Sequence, residues 1–97
     1  MAVMEKTYEQ SQSILLNVLY DIAEMRKTDV KRLDGERYLM NTEMYGIKTP
    51  YIFRLVPAGT GTSVAVETEV SQEGAEQNIE LMFATIENML GPFRKAQ

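Results

Sequence analysis

The sequence predicts a single α+β domain in the order β-α-β-β-β-β-α, an antiparallel sheet with two helices packed on one face. Three observations predict it. One long helix-period run lies near the start, four strand-period runs follow, and a second helix-period run comes last. The last run is the cleanest. Ile79, Met82, Phe83, Ile86, Met89 and Leu90 recur at the i, i+3, i+4, i+7 spacing of one buried stripe.

The elements follow in order. In residues 2–8, Met4, Lys6 and Tyr8 alternate with Val3, Glu5 and Thr7, which predicts a short first strand. Ser11 or Ser13 can cap the first helix, and Thr7 with Gln10 offers an earlier capping box. That helix is expected from about Ser11 to Lys27. Asn17, Asp21 and Glu24 form its narrow polar face. Its main apolar row is Leu15, Val18, Leu19 and Ile22, and Leu16, Tyr20 and Ala23 form a second row beside it. Covering one sheet face needs only one stripe. The second row is therefore either buried under the closing helix or a surface for a partner or an apolar ligand.

Strand signals begin near Thr28. Asp34-Gly35 suits a two-residue turn, which would pair Leu33 with Glu36, Arg32 with Arg37 and Val30 with Leu39. Facing arginines are unfavourable, so a longer loop of three to five residues with a bulge at Gly35 is the alternative. The next strand spans about Glu36 to Tyr45, with Tyr38, Met40, Thr42 and Met44 on one face. Residues 45–49 connect it to a strand starting at Pro50, whose core face is Tyr51, Phe53 and Leu55. A turn follows at residues 57–61, and Val64, Val66, Thr68 and Val70 then alternate with Ala65, Glu67 and Glu69. The second helix starts near Ser71 to Gly74. Gly91-Pro92 predicts its stop after Leu90, leaving residues 91–97 as a tail.

Composition narrows the chemistry. The 97 residues suit one domain, and the 44% apolar and 25% charged fractions are those of an ordinary globular protein. There is no cysteine and no histidine. Disulfides, thiolate nucleophiles, the commonest general base and the commonest transition-metal ligands are thereby removed. The net charge of −4 works against phosphate neutralisation, on which non-specific nucleic-acid binding depends. The charge is uneven. Glu67 to Glu87 holds six acids and no Lys or Arg, while Arg26, Lys27, Lys31, Arg32 and Arg37 cluster after the first helix. These are two solvated faces of opposite sign, or patches that pair copies of the chain. No basic segment followed by an apolar stretch opens the sequence, and no apolar run is long enough to span a bilayer. A cytoplasmic protein without a membrane span is the expectation, and it rests on absences.

The strand Tyr51-Ile52-Phe53-Arg54-Leu55-Val56, the turn at residues 57–61, Val64-Ala65-Val66 and the final helix together resemble the TBP-like class of α+β folds. That class includes each half of the TATA-box-binding protein and, in enlarged form, the helix-grip (Bet v 1/START-like) proteins. The resemblance is topological and covers nearly the whole chain. It implies two functions to weigh. TATA-binding relatives hold a bent minor groove on the open sheet face. Here that face would carry Leu39, Asn41, Glu43, Ile52, Arg54, Val56, Ala65, Glu67 and Glu69. Three carboxylates and no aromatic wedge oppose a DNA role. Helix-grip relatives hold apolar ligands between sheet and C-terminal helix. Met40, Met44, Phe53, Met82 and Met89 are the candidate lining here, and a filled core is the other use of the same residues.

The remaining motifs read as structure. Glu67 and Glu69 share a strand face, solvated or paired with Arg54 or Lys48. Asn17, Asp21 and Glu24 lack the loop of a hard-cation site, and Gly59-Thr60-Gly61-Thr62 lacks the lysine and the helix of a phosphate cradle. The expectation is a non-catalytic binding or assembly module with no cofactor and no metal. Self-association as a homodimer through Leu16, Tyr20 and Ala23 is expected first, and carriage of a small apolar ligand is the alternative.

Overall fold

Every second residue of the strand after the glycine turn is buried: Thr62, Val64, Val66 and Thr68 lie at 0–1% exposure, with half-buried residues between them. One face of this strand meets a core and the other meets water, which is the pattern of an antiparallel sheet covered on one side. The computed structural model describes residues 2–44, 46–68 and 74–95. Their order is β1 (Ala2–Tyr8), α1 (Gln12–Met25), β2 (Val30–Arg32), β3 (Arg37–Met44), β4 (Ile47–Ala58), β5 (Gly61–Thr68) and α2 (Ala75–Lys95). The predicted order of elements is the observed one.

The strands form one antiparallel sheet in the spatial order β1-β5-β4-β3-β2. Phe53 lies opposite Tyr38 on one side and Val66 on the other, so the alternation of three strands falls in register on one face. Both helices pack on that face. Leu15, Val18, Leu19 and Ile22 of α1 meet Ile79, Met82, Phe83, Ile86 and Leu90 of α2 in one cluster with Met40, Phe53, Leu55, Val64 and Val66. Tyr8 at the end of β1 donates to Glu87 Oε2 at 2.8 Å, and Lys6 reaches the same oxygen at 3.3 Å, which ties the edge strand to α2.

Local chemistry sets the boundaries. Ser11, not the earlier Thr7–Gln10 box, caps α1: its hydroxyl accepts from the Ile14 amide at 3.4 Å. Thr7 is still in β1. The two-residue turn at Asp34-Gly35 does not form. Arg32 pairs with Tyr38, Lys31 with Leu39 and Val30 with Met40, the Leu33 amide bonds Arg37 O at 2.8 Å, and residues 33–36 link the two strands. The reason is the Asp34 side chain, which accepts from the amides of Glu36 and Arg37, both at 2.9 Å, and from Arg37 Nε at 2.7 Å. This Asx-type closure replaces the tight turn and keeps the two arginines apart. Register then puts Arg37 opposite Arg54, and the loop acids answer that too: Glu36 Oε2 lies 3.4 Å from Arg54 Nε. Arg54 is therefore paired with Glu36, not with Glu67.

Asp34 carries a pH dependence. The Glu36 amide, the Arg37 guanidinium and the Arg37 amide pull its carboxyl down from 3.8 to about 2. A depressed folded pKa contributes stability above the unfolded value and loses it as pH falls through the folded one. Side-chain carbonyl NMR should give an Asp34 midpoint near 2, with the Glu36 and Arg37 amides shifting in the same step. An Asp34 that titrates as an ordinary carboxylate would contradict this closure.

Two further boundaries differ from expectation. β4 begins at Ile47, so Met44 pairs with Ile47 across a two-residue loop in which Gly46 has φ 79. Pro50 is inside the strand, and it is tolerated because, among the described residues, pairing with β5 begins at Ile52. α2 runs to Lys95, past the predicted stop at Leu90, so residues 91–95 are helix and not tail. Gly91 has no positive φ, so the reversal that would end the helix there is missing.

Candidate ligand cleft

The end of α1 builds one wall of a cleft. The Thr28 amide bonds Ala23 O at 2.9 Å and the Lys27 amide bonds Glu24 O at 3.2 Å, which together form a Schellman closure. That motif places Lys27 in the left-handed region, φ 57, where the described chain otherwise uses only glycine. A side chain there costs roughly 1 kcal/mol relative to glycine. The closure turns the chain into β2 and leaves Arg26, Lys27 and Thr28 facing the sheet edge.

The other wall is the outer end of the β3–β4 hairpin. β2 is short and its pairing with β3 ends at Val30–Met40, so Asn41, Thr42 and Glu43 continue past it. These residues, Gly46 and Lys48 complete a cleft of about 710 Å³. Its charge is three cations, Arg26, Lys27 and Lys48, against the carboxylate of Glu43. None of the three cations has an ion pair among the described residues. Arg26 is the most constrained. Its Nη1 is buried and has no hydrogen-bond partner among the described residues. A buried donor without an acceptor costs about 1–3 kcal/mol, and more when charged. Arg26 also acts on Tyr51, which is 1% exposed. Burial pushes the Tyr51 phenol up, and the positive charge of Arg26 opposes that shift.

The residues expected to line an apolar pocket lie elsewhere. Met40, Phe53 and Met82 are at 0–1% exposure inside the core cluster, and Met89 is partly buried against it. The Met44 side chain lies outside the described residues. Met40, Met82 and Met89 are core packing and are not among the residues that line the cleft. The expected interface row also divides. At about 100° per residue, Ala23 sits roughly 40° from Leu19 and Tyr20 roughly 100° from it. Ala23 is accordingly buried at 2% and is not a surface residue. Leu16 is partly buried against the core, while Tyr20 is 48% exposed. Asn17, Asp21 and Glu24 are exposed on the opposite side of α1. Sequence reading noted Arg26 and Lys27 within a basic cluster but not Lys48, which only the β3–β4 register brings to them.

A second, smaller depression of about 210 Å³ lies on the open sheet face between Val3, Arg37, Ile52, Arg54, Ala65 and Glu67. Glu67 adds a favourable field at Arg37. Glu69 lies outside the described residues.

The sequence matches no family model and none of the curated protein sequences. Solved structures do match. CalU16 from Micromonospora echinospora superposes with a TM-score of 0.64, covering 94% of this chain and 73% of that one at 14% identity. Ara h 8.0201 superposes with a TM-score of 0.52 over 99% of this chain and 97% of that one, at 10% identity. The fold is Bet v 1-like. Of the two arms of the TBP-like resemblance, the solved structures match the helix-grip arm. At these identities the likeness shows the fold alone. No helix among the described residues is long and apolar enough to cross a membrane.

Proposed function

We propose that this chain is a non-catalytic small-molecule binding protein that takes its ligand in the cleft between the end of α1 and the β3–β4 hairpin. The cleft itself carries the reading. Its 710 Å³ falls within the range of small-ligand sites, and it gathers three cations that have no ion pair among the described residues. The Bet v 1-like fold supports a binding role in general, while the place of this cleft, which no described residue of α2 lines, is read from this chain alone. The sequence supplies no histidine or cysteine for turnover, which favours binding over catalysis.

Saturation-transfer NMR with a panel of neutral and anionic aromatic fragments tests the reading. Fragments should bind the parent protein and lose binding in Asn41→Trp, which narrows the cleft from its exposed sheet edge. A panel in which no fragment distinguishes the two proteins would count against it.

Self-association is a second reading, favoured by the exposure of Tyr20 at 48% and Met25 at 60% on α1. Light scattering after size exclusion at high micromolar concentration should then give twice the monomer mass, and Tyr20→Lys should return the monomer. A monomeric mass throughout removes this reading and leaves the first one standing.

A further inference from the structure

We infer that the cleft selects a small molecule bearing an oxyanion, a carboxylate, phosphate or sulfonate, and that Arg26 is the group that binds it. The inference rests on the reading of the cleft as a ligand site and adds the chemical class.

Three observations carry it. The first is the orphan Nη1 of Arg26. The nitrogen is closed off from solvent and has no acceptor among the described residues, so nothing in the protein neutralises the guanidinium that lines the cleft, and a planar guanidinium matches an oxyanion with two parallel hydrogen bonds. The second is the charge balance. On a chain of net charge −4, this cleft gathers three cations against one carboxylate. None of those cations is neutralised by a described acid, whereas Arg37, Arg54 and Lys6 each have one. The third is Lys27. The Schellman position prefers glycine, yet a lysine occupies it at φ 57 and lines the cleft. Thr28 and Asn41 add uncharged donors on the same walls. A partly enclosed cleft strengthens each of these interactions relative to open water.

A helix C-terminus also attracts cations, and that alone accounts for basic residues after α1. It does not account for Lys48, which comes from β4 on the opposite wall, nor for a buried guanidinium nitrogen that donates to none of the helix-end carbonyls.

The test compares anilinonaphthalene sulfonate with phenylnaphthylamine, which has the same ring system without the anion, by fluorescence titration. The sulfonate should bind more tightly. Arg26→Gln and Lys48→Gln should each weaken it roughly tenfold, the effect of one charge-assisted bond, while leaving the neutral probe unchanged. Lys31→Gln, on exposed β2 outside the cleft, should change neither. Lys27→Gly should raise Tm while weakening the sulfonate, since it relieves the backbone and removes a cation. Equal binding of both probes, insensitive to Arg26→Gln, overturns the anion inference and leaves the ligand cleft intact. If neither organic probe binds, amide NMR with inorganic phosphate decides. Shifts at Arg26, Lys27 and Thr28 that vanish in Arg26→Gln keep the anion site and reject the organic ligand. No shift overturns both.

Discussion

Phe53→Ala should lose about 3–5 kcal/mol of stability. Phe53 is fully buried on central strand β4, between Tyr38 of β3 and Val66 of β5, with its ring 6.3 Å from that of Tyr51. Both helices close over it, so the space left by the ring has no neighbour free to fill it. A domain of this length has roughly 5–15 kcal/mol in total, so the loss is a large fraction. Urea denaturation should show the midpoint falling by roughly 2 M or more. Phe53→Leu keeps most of the volume and should lose much less. Equal midpoints for Phe53→Ala and the parent would mean that the core is not packed as described.

Gly61→Ala is the second large effect, at about 3 kcal/mol. A Cβ at Gly61 would overlap the carbonyl oxygen of Tyr8 and stand 2.9 Å from Glu9 Cα. Both are backbone atoms, where β1 leaves the sheet toward α1, and neither can rotate away. The neighbouring Thr62 hydroxyl holds the same bend, donating to Gln10 O at 2.9 Å. Separating these segments would break the β1–β5 ladder near Tyr8–Thr62. At about 4–8 °C per kcal/mol, Tm should fall by roughly 12–24 °C. Gly35→Ala is the control, since nothing lies within 4 Å of it and its φ is not positive. It should leave Tm unchanged or slightly raised. A Gly61→Ala protein as stable as the Gly35→Ala one would contradict the close approach.

Alternation was legible wherever a strand has one buried face. Val64 and Val66, Tyr51 and Phe53, and Met4 and Tyr8 declare their sides because their neighbours are polar or half-exposed. The stripe of α2 was legible for the same reason. Boundaries depend on interactions that periodicity does not carry. Asp34 closes its loop with side-chain bonds, so the dipeptide Asp-Gly pointed to a turn that the chain does not make. Pro50 looked like a strand start because its tolerance depends on where the β5 ladder begins. The second apolar row of α1 was visible as composition. Which members are exposed follows from their angle to the sheet, and that angle separates Ala23 from Tyr20.

The site was less legible than the fold. Met40, Met82, Met89 and Phe53 are conspicuous as apolar residues, and burial makes them core. Arg26 and Lys48 are far apart in sequence and ordinary in type. Their meeting requires the Schellman closure after α1, a β2 too short to cover the end of β3, and the Glu43–Lys48 register of the hairpin. The one sequence signal that pointed toward the site was the basic cluster after the first helix, read there as a solvated face or a pairing patch.

The central claim is the place where a ligand sits, and backbone amide NMR during titration with anilinonaphthalene sulfonate tests it most directly. Binding in the cleft predicts that the largest shifts fall on Thr28, Thr42 and Gly46, which line its two walls. Shifts centred on Ile79, Met82 and Phe83, or spread without a centre over the open sheet face, would contradict it.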